Sequence, residues 1–130
     1  MAGSIGDKYY DVFLKYRLWL CTKEGDGILG EGRLSLLKEI DITGSLKSAA
    51  DNLNISYRKA WGNIKEAEEL LGFKLVVKQR GGKDGGNSQL SLEGRKLLEA
   101  YYELKEDFDQ SIKKITKKFF NKINKPSMMV

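Results

Sequence analysis

Two helix-capping signals, Gly44-Ser45 and Asn54-Ile55-Ser56, constrain this chain more than any other feature in it. Glycine suits the left-handed position just past a helix end, and a serine directly after it can accept a hydrogen bond from the first free amides of a new helix. One helix therefore stops and the next begins between Gly44 and Ser45. Leu46, Ala49, Ala50 and Leu53 recur at helical spacing, and the small Ala49-Ala50 pair lets a second helix cross closely. Asn54 tolerates a left-handed turn, Ile55 serves as a hydrophobic staple and Ser56 caps the helix that follows. In that helix Ala60, Ile64, Ala67 and Leu71 share one face, with Trp61 at its flank. The pattern is a helix-turn-helix.

The opposite face of the second helix is polarised. Arg58, Lys59, Gly62 and Lys65 occupy its first turns, and the acids Glu66, Glu68 and Glu69 begin only afterwards. A helix read by a DNA major groove makes its base contacts mainly through N-terminal residues, so cations early and carboxylates late match that potential. Gly62 points the same way, because a glycine inside a helix costs roughly 1 kcal/mol relative to alanine and close approach of another surface compensates most simply. A plainer reading competes: two amphipathic helices with a solvated cationic face. Trp61 is assigned to the core more readily than to a contact, given its size and flank position.

After the helix-turn-helix, Gly72 ends the helical pattern. Lys74-Leu75-Val76-Val77-Lys78 reads as a strand, Arg80 to Ser88 as a glycine-rich tip, and Gln89-Leu90 as the start of a return strand. This is a wing, with Arg80 and Lys83 placed to lie along a phosphate backbone or enter a minor groove. A nucleotide-phosphate loop is the weaker alternative, since GxxxxGK[ST] is absent and the glycines sit between two strands. Turn geometry alone also accounts for such glycines.

Before the motif, Tyr9 to Thr22 is rich in β-favouring residues. Val12, Leu14, Tyr16, Leu18 and Leu20 fall on one side, and Phe13, Lys15, Arg17, Trp19 and Cys21 on the other. A strand with one buried face is expected there, with Cys21 acting as a small hydrophobe. A turn over Lys23 to Gly32 follows, with a short return strand at Ile28-Leu29. A first helix then runs from about Arg33 to Asp41 on the stripe Leu34, Leu36, Leu37 and Ile40.

Ser91 caps a long last helix, and Glu93 suits its positive end. From Tyr101, the apolar positions Leu104, Phe108, Ile112, Ile115, Phe119 and Ile123 keep a rhythm closer to the natural helix period than a heptad, with Tyr102 and Phe120 as flanks. The stripe outruns a core only a few turns tall, so it is expected to pair with a second copy of the chain. Covering the domain's own core is the bland alternative. Beyond Asp109 the charges are all positive, from Lys113 and Lys114 through Lys117, Lys118 and Lys122 to Lys125. A nonspecific phosphate-binding or membrane-surface helix fits these lysines less well than the solvated face of a dimer helix.

Composition narrows the chemistry. The chain of 130 residues has length for one domain plus an accessory element, and its net charge of +5 fits a nucleic-acid partner, though also an anionic membrane. Histidine is absent, which removes imidazole as metal ligand or general base, and the single Cys21 offers neither a disulfide within the chain nor a CxxC pair. No enzyme, metal or cofactor is expected. The N-terminal residues lack an apolar signal core and no apolar run nears the ~18 residues of a membrane helix, so a cytoplasmic protein without a membrane partner is expected.

With these parts assembled, the sequence resembles the N-terminal DNA-binding domain of the molybdate-responsive ModE regulators, a relative of the LysR-type winged helix. The residues that carry the likeness are Gly32-Arg33 with Leu36-Leu37 and Ile40, Gly44-Ser45 with Ala49-Ala50, and Ser56-Tyr57-Arg58 with Ala60-Trp61. It continues through Leu71-Gly72 with Leu75, Gly81-Gly82-Lys83 with Gly85-Gly86, and Leu90-Ser91 with Gly94. The resemblance implies operator binding by a two-fold dimer. ModE regulators also carry C-terminal oxyanion-binding modules for which this sequence has no room, so control by molybdate or tungstate would come from a separate effector-binding chain or be absent.

The expected fold is mainly α, with an N-terminal strand, a small β-hairpin wing and a long C-terminal helix; residues 1–92 form the winged helix-turn-helix and 93–130 the dimerisation helix and tail. The expected function is sequence-specific binding of double-stranded DNA as a homodimeric transcription regulator, with a winged-helix protein-interaction module as the alternative. Arg58 and Lys59 are candidate base or phosphate contacts, and Lys65 a phosphate contact. Ser45 and Ser56 face the backbone at helix N-termini, Tyr57 touches the backbone or packs locally, Gly62 permits close approach, and Arg80 and Lys83 anchor the wing. Tyr101, Leu104, Phe108, Ile112, Ile115 and Phe119 are the candidate dimerisation residues.

Overall fold

A computed structural model of the chain describes residues 8–78 and 87–125. Its elements run β1 (Leu20–Cys21), β2 (Gly27–Leu29), α1 (Glu31–Thr43), α2 (Leu46–Asn52), α3 (Tyr57–Leu71), β3 (Val76–Lys78), β4 (Ser88–Leu90) and α4 (Leu92–Asn124). The strands form two separate antiparallel pairs, β1 with β2 and β3 with β4. Residues Leu18–Tyr101 make one compact unit, and the described residues on either side belong to a second. Among the described residues no helix is long and apolar enough to cross a membrane.

The first unit is built around α1. Its Leu34, Leu36, Leu37 and Ile40 are buried with Leu46, Ala49 and Ala50 of α2, Ala60, Ile64 and Ala67 of α3, and Leu75, Leu90 and Leu98. The alanines at the α2 and α3 contacts supply the short side chains that close helix crossing needs. Gly44 adopts φ 71 at the end of α1 and donates its amide to the Ile40 carbonyl. Gly72 ends α3 in the same way at φ 85. These left-handed residues turn the chain without the steric penalty a Cβ would bring.

The start of α4 is locked to the wing. Ser91 Oγ accepts from the Gly94 amide at 2.9 Å and donates to the Lys74 carbonyl at 2.6 Å, while the Ser91 amide donates to the Leu75 carbonyl. A Cβ on Gly94 would lie 2.4 Å from that same carbonyl oxygen, so only glycine lets the helix sit there.

The long N-terminal strand is not formed. Strand β1 holds only Leu20 and Cys21, and its register against β2 is irregular between those residues. A ladder needs a partner, and β2 offers only Gly27–Leu29, so among the described residues those before Leu20 have no strand to pair with. Val12, Leu14 and Tyr16, expected on a buried face, are exposed, Val12 to 46%. Cys21 is exposed too, in place of the small packed hydrophobe expected. In the second unit the Tyr16 hydroxyl donates to the Asp109 carboxylate of α4.

Candidate nucleic-acid interface

Ser56 opens α3, its Oγ accepting from the Lys59 amide at 3.0 Å. Asn54 takes the left-handed conformation at φ 56, and the Ile55 amide donates back to the Ala50 carbonyl at 3.0 Å. The turn therefore spends its polar groups internally and fixes the angle at which α3 leaves α2. On α3, Arg58, Gly62 and Lys65 follow at i, i+4 and i+7, which stacks them in one exposed ridge. Tyr57 and Lys59 flank it and are exposed as well. Arg58 and Lys59 have no carboxylate partner among the described residues, and a Cβ on Gly62 would meet nothing within 4 Å. The early turns of α3 thus present an open, electropositive surface.

The acids of α3 are handled differently from one another. Glu66 pairs with Arg33 at 2.9 Å. Arg33 also donates to the Ile28 carbonyl at 2.7 Å, so one guanidinium joins the first hairpin to the helix. Glu68 does not belong to the outer face where its neighbours place it. It is 8% exposed, and its Oε2 accepts from the Leu75 and Val76 amides at 2.7 and 3.2 Å. Buried there, the carboxylate satisfies two backbone donors at the entry to β3. Spacing carried the signal, because Glu68 stands four positions after Ile64 on the buried stripe.

Trp61 is half-buried, and two cations lie against its ring: Lys65 Nζ at 4.7 Å from the ring centre and Lys78 Nζ at 5.2 Å. Lys65 is also 4.0 Å from Glu68 Oε1. Lys78, on β3, was not among the residues singled out from the sequence.

Ser45 is half-buried and its Oγ caps α2 by accepting from the Ser48 amide at 3.1 Å. A bridge between Ser45 and Asn87, and donation from the Ser88 amide to the Gly44 carbonyl at 2.9 Å, tie the base of the wing to the turn that opens α2. Strands β3 and β4 pair Val76 with Leu90 and Lys78 with Ser88. Arg80 and Lys83 of the tip lie outside the described residues.

The candidate dimerisation residues divide. Tyr101 is 6% exposed and donates to the Leu18 carbonyl at 3.0 Å within its own unit. Leu104, Phe108, Ile115 and Phe119 are exposed, Ile115 to 54%, and Ile112 is half-buried. Phe120 is buried, edge-on to Phe119 at 5.2 Å between ring centres.

Residues 32–95 match the family described as bacterial regulatory helix-turn-helix protein, lysR family. The DNA-binding transcriptional dual regulator ModE of Escherichia coli K12 is 41% identical over 69 residues, 53% of this chain and 26% of that protein. The molybdenum transport protein ModE of Azotobacter vinelandii is 31% identical over 102 residues, 78% of this chain and 37% of that protein. This chain therefore spans about a quarter to just over a third of these relatives. Among solved structures, the BenM DNA-binding domain in its benA site 1 DNA complex is similar with TM-score 0.52 at 24% identity, covering 70% of this chain and 96% of that one. Over residues 32–95 the chain carries a winged helix-turn-helix that matches the lysR family and is similar in sequence to the ModE regulators.

Proposed function

We propose that this chain binds duplex DNA in a sequence-specific manner and regulates transcription as a two-fold homodimer. The observation that carries the reading is the ridge of Arg58, Gly62 and Lys65 with Lys59 beside it, exposed at the N-terminal end of α3 and free of packing against the first unit. A helix of this kind enters the major groove with its first turns against base edges. Arg58 and Lys59 contact bases or phosphates, and Lys65 a phosphate. Ser56, at the start of α3, faces the DNA backbone with Tyr57, and Ser45 approaches it from the start of α2. Arg80 and Lys83 reach from the wing. The family match and the relatives described as transcriptional regulators support this assignment.

The homodimer rests on a different surface. Leu104, Phe108, Ile115 and Phe119 leave a long apolar stripe on α4 in contact with water, a liability that pairing with a second copy removes. Such a dimer spaces its recognition helices about 34 Å apart, or a multiple, and reads an inverted repeat.

Selection of bound sequences from random duplex DNA tests both parts, with a two-fold symmetric half-site as the expected result. Arg58→Ala weakens the selected duplex by about 1 to 3 kcal/mol when the contact is bidentate to guanine, whereas equal losses on selected and random duplexes make Arg58 a phosphate contact. Recovery of no sequence at any salt concentration, with the fold intact, would leave a protein-interaction module in its place.

A further inference from the structure

The indole of Trp61 is the most unusual feature of the α3 surface, because it gathers two like charges from different elements. Lys65 comes from α3 and Lys78 from the first wing strand, with ammonium groups 4.7 and 5.2 Å from one ring centre. They are thus no farther apart than those two distances laid end to end. A cation over an indole is attracted by the ring's quadrupole, and this draws in each lysine separately. Nothing in that attraction cancels their mutual repulsion. Glu68 does so only in part: its Oε1 is 4.0 Å from Lys65, and its Oε2 is committed to the Leu75 and Val76 amides. Lys78 has no carboxylate partner among the described residues. Among the described residues, Glu68 is the pair's one carboxylate neighbour, and it meets Lys65 alone.

We infer that Lys65 and Lys78, held against Trp61, form a clamp for one phosphodiester of the DNA backbone, joining the recognition helix and the wing in a single contact. The inference rests on the DNA-binding reading and adds to it a phosphate site, a new binding residue in Lys78, and a role for Trp61. A flexible lysine loses rotamer entropy when it binds a phosphate. With both chains already resting on the indole, part of that loss is incurred before DNA arrives. Trp61 is therefore a positioning residue that acts through the two lysines, and its own edge need not touch the nucleic acid. Because a phosphate carries no base identity, the clamp strengthens binding to all duplexes alike and sets register without choosing sequence.

The test is a salt series of duplex affinities on one selected and one random sequence. It compares the wild type with Lys65→Met, Lys78→Met, their double variant, Trp61→Phe and Trp61→Leu, each checked by thermal melting. Methionine keeps the apolar stem and removes only the charge. Lys78→Met is expected to weaken both duplexes by the same factor and to reduce the slope of log affinity against log salt by less than the about 0.9 of a whole phosphate, since Lys65 still holds it. The double variant loses about 0.9 in slope, one phosphate's worth and not two, because the phosphate is shared. Trp61→Phe retains near-wild-type affinity, whereas Trp61→Leu weakens both duplexes severalfold at unchanged slope. Affinity for both duplexes unchanged by Lys78→Met, or a slope loss of about 1.8 in the double variant as two separate phosphates would give, would overturn the clamp. Failure of the wild type to bind either duplex would overturn the DNA reading itself and the clamp with it, a separate result because it appears before any variant is compared.

Discussion

The two ends of α4 obey one sequence rhythm and meet opposite fates. In its opening turns Gly94 lies against the Leu75 carbonyl, Leu98 is buried, and Tyr101 is buried and hydrogen-bonded to Leu18. Farther along, Leu104, Phe108, Ile115 and Phe119 keep the apolar spacing and remain in water. Periodicity states which side chains a helix will offer to one side, but burial depends on whether anything stands there. The opening turns have the wing and first hairpin as neighbours, while these four later side chains stay exposed to 42% or more. Only the first segment, then, should govern the stability of the domain.

The largest expected effect is at Gly94. Replacement by alanine drives a Cβ into a backbone carbonyl and is expected to cost about 3 kcal/mol in urea unfolding; a loss below 1 kcal/mol would mean that the helix start shifts freely. Glu68→Ala comes next at about 2 kcal/mol, because it strands the Leu75 and Val76 amides in the interior. A thermal melt reads it, and retention of full stability would show that water replaces the carboxylate. Gly62→Ala is expected to stabilise the free protein by about 1 kcal/mol, since the helix gains propensity where nothing crowds the new methyl, and yet to weaken duplex binding. Tighter binding would deny close approach at that ridge. Smallest in unfolding is Phe108→Ser, expected within about 0.5 kcal/mol for the monomer. The same change should convert dimers to monomers in sedimentation at micromolar concentration.

Most of the helix-turn-helix was legible because its information is local. The caps at Ser45 and Ser56, the left-handed Gly44, Asn54 and Gly72, and the apolar stripes each declare themselves within a few residues. What stayed hidden was non-local. Alternation from Tyr9 to Thr22 describes a strand's faces but not its neighbour, and without a neighbour it built only β1. Arg33 read as a fragment of a motif, while its work of joining the Ile28 carbonyl to Glu66 depends on three elements meeting. The exposed ridge of α3 was readable from helical spacing, but Lys78 became a candidate only once the fold brought β3 to Trp61.

The link from the Ser88 amide to the Gly44 carbonyl, with the Ser45–Asn87 bridge beside it, bears on how a domain of this shape can be re-engineered. The hairpin is seated on the joint between the first two helices and so inherits its aim from that joint. Transplanting a foreign α3 alone would keep the recipient's wing direction, whereas a chimera that also exchanges the α1–α2 corner would swing the hairpin onto a different stretch of backbone. Redirecting either element in this scaffold is therefore a problem of moving two surfaces in concert.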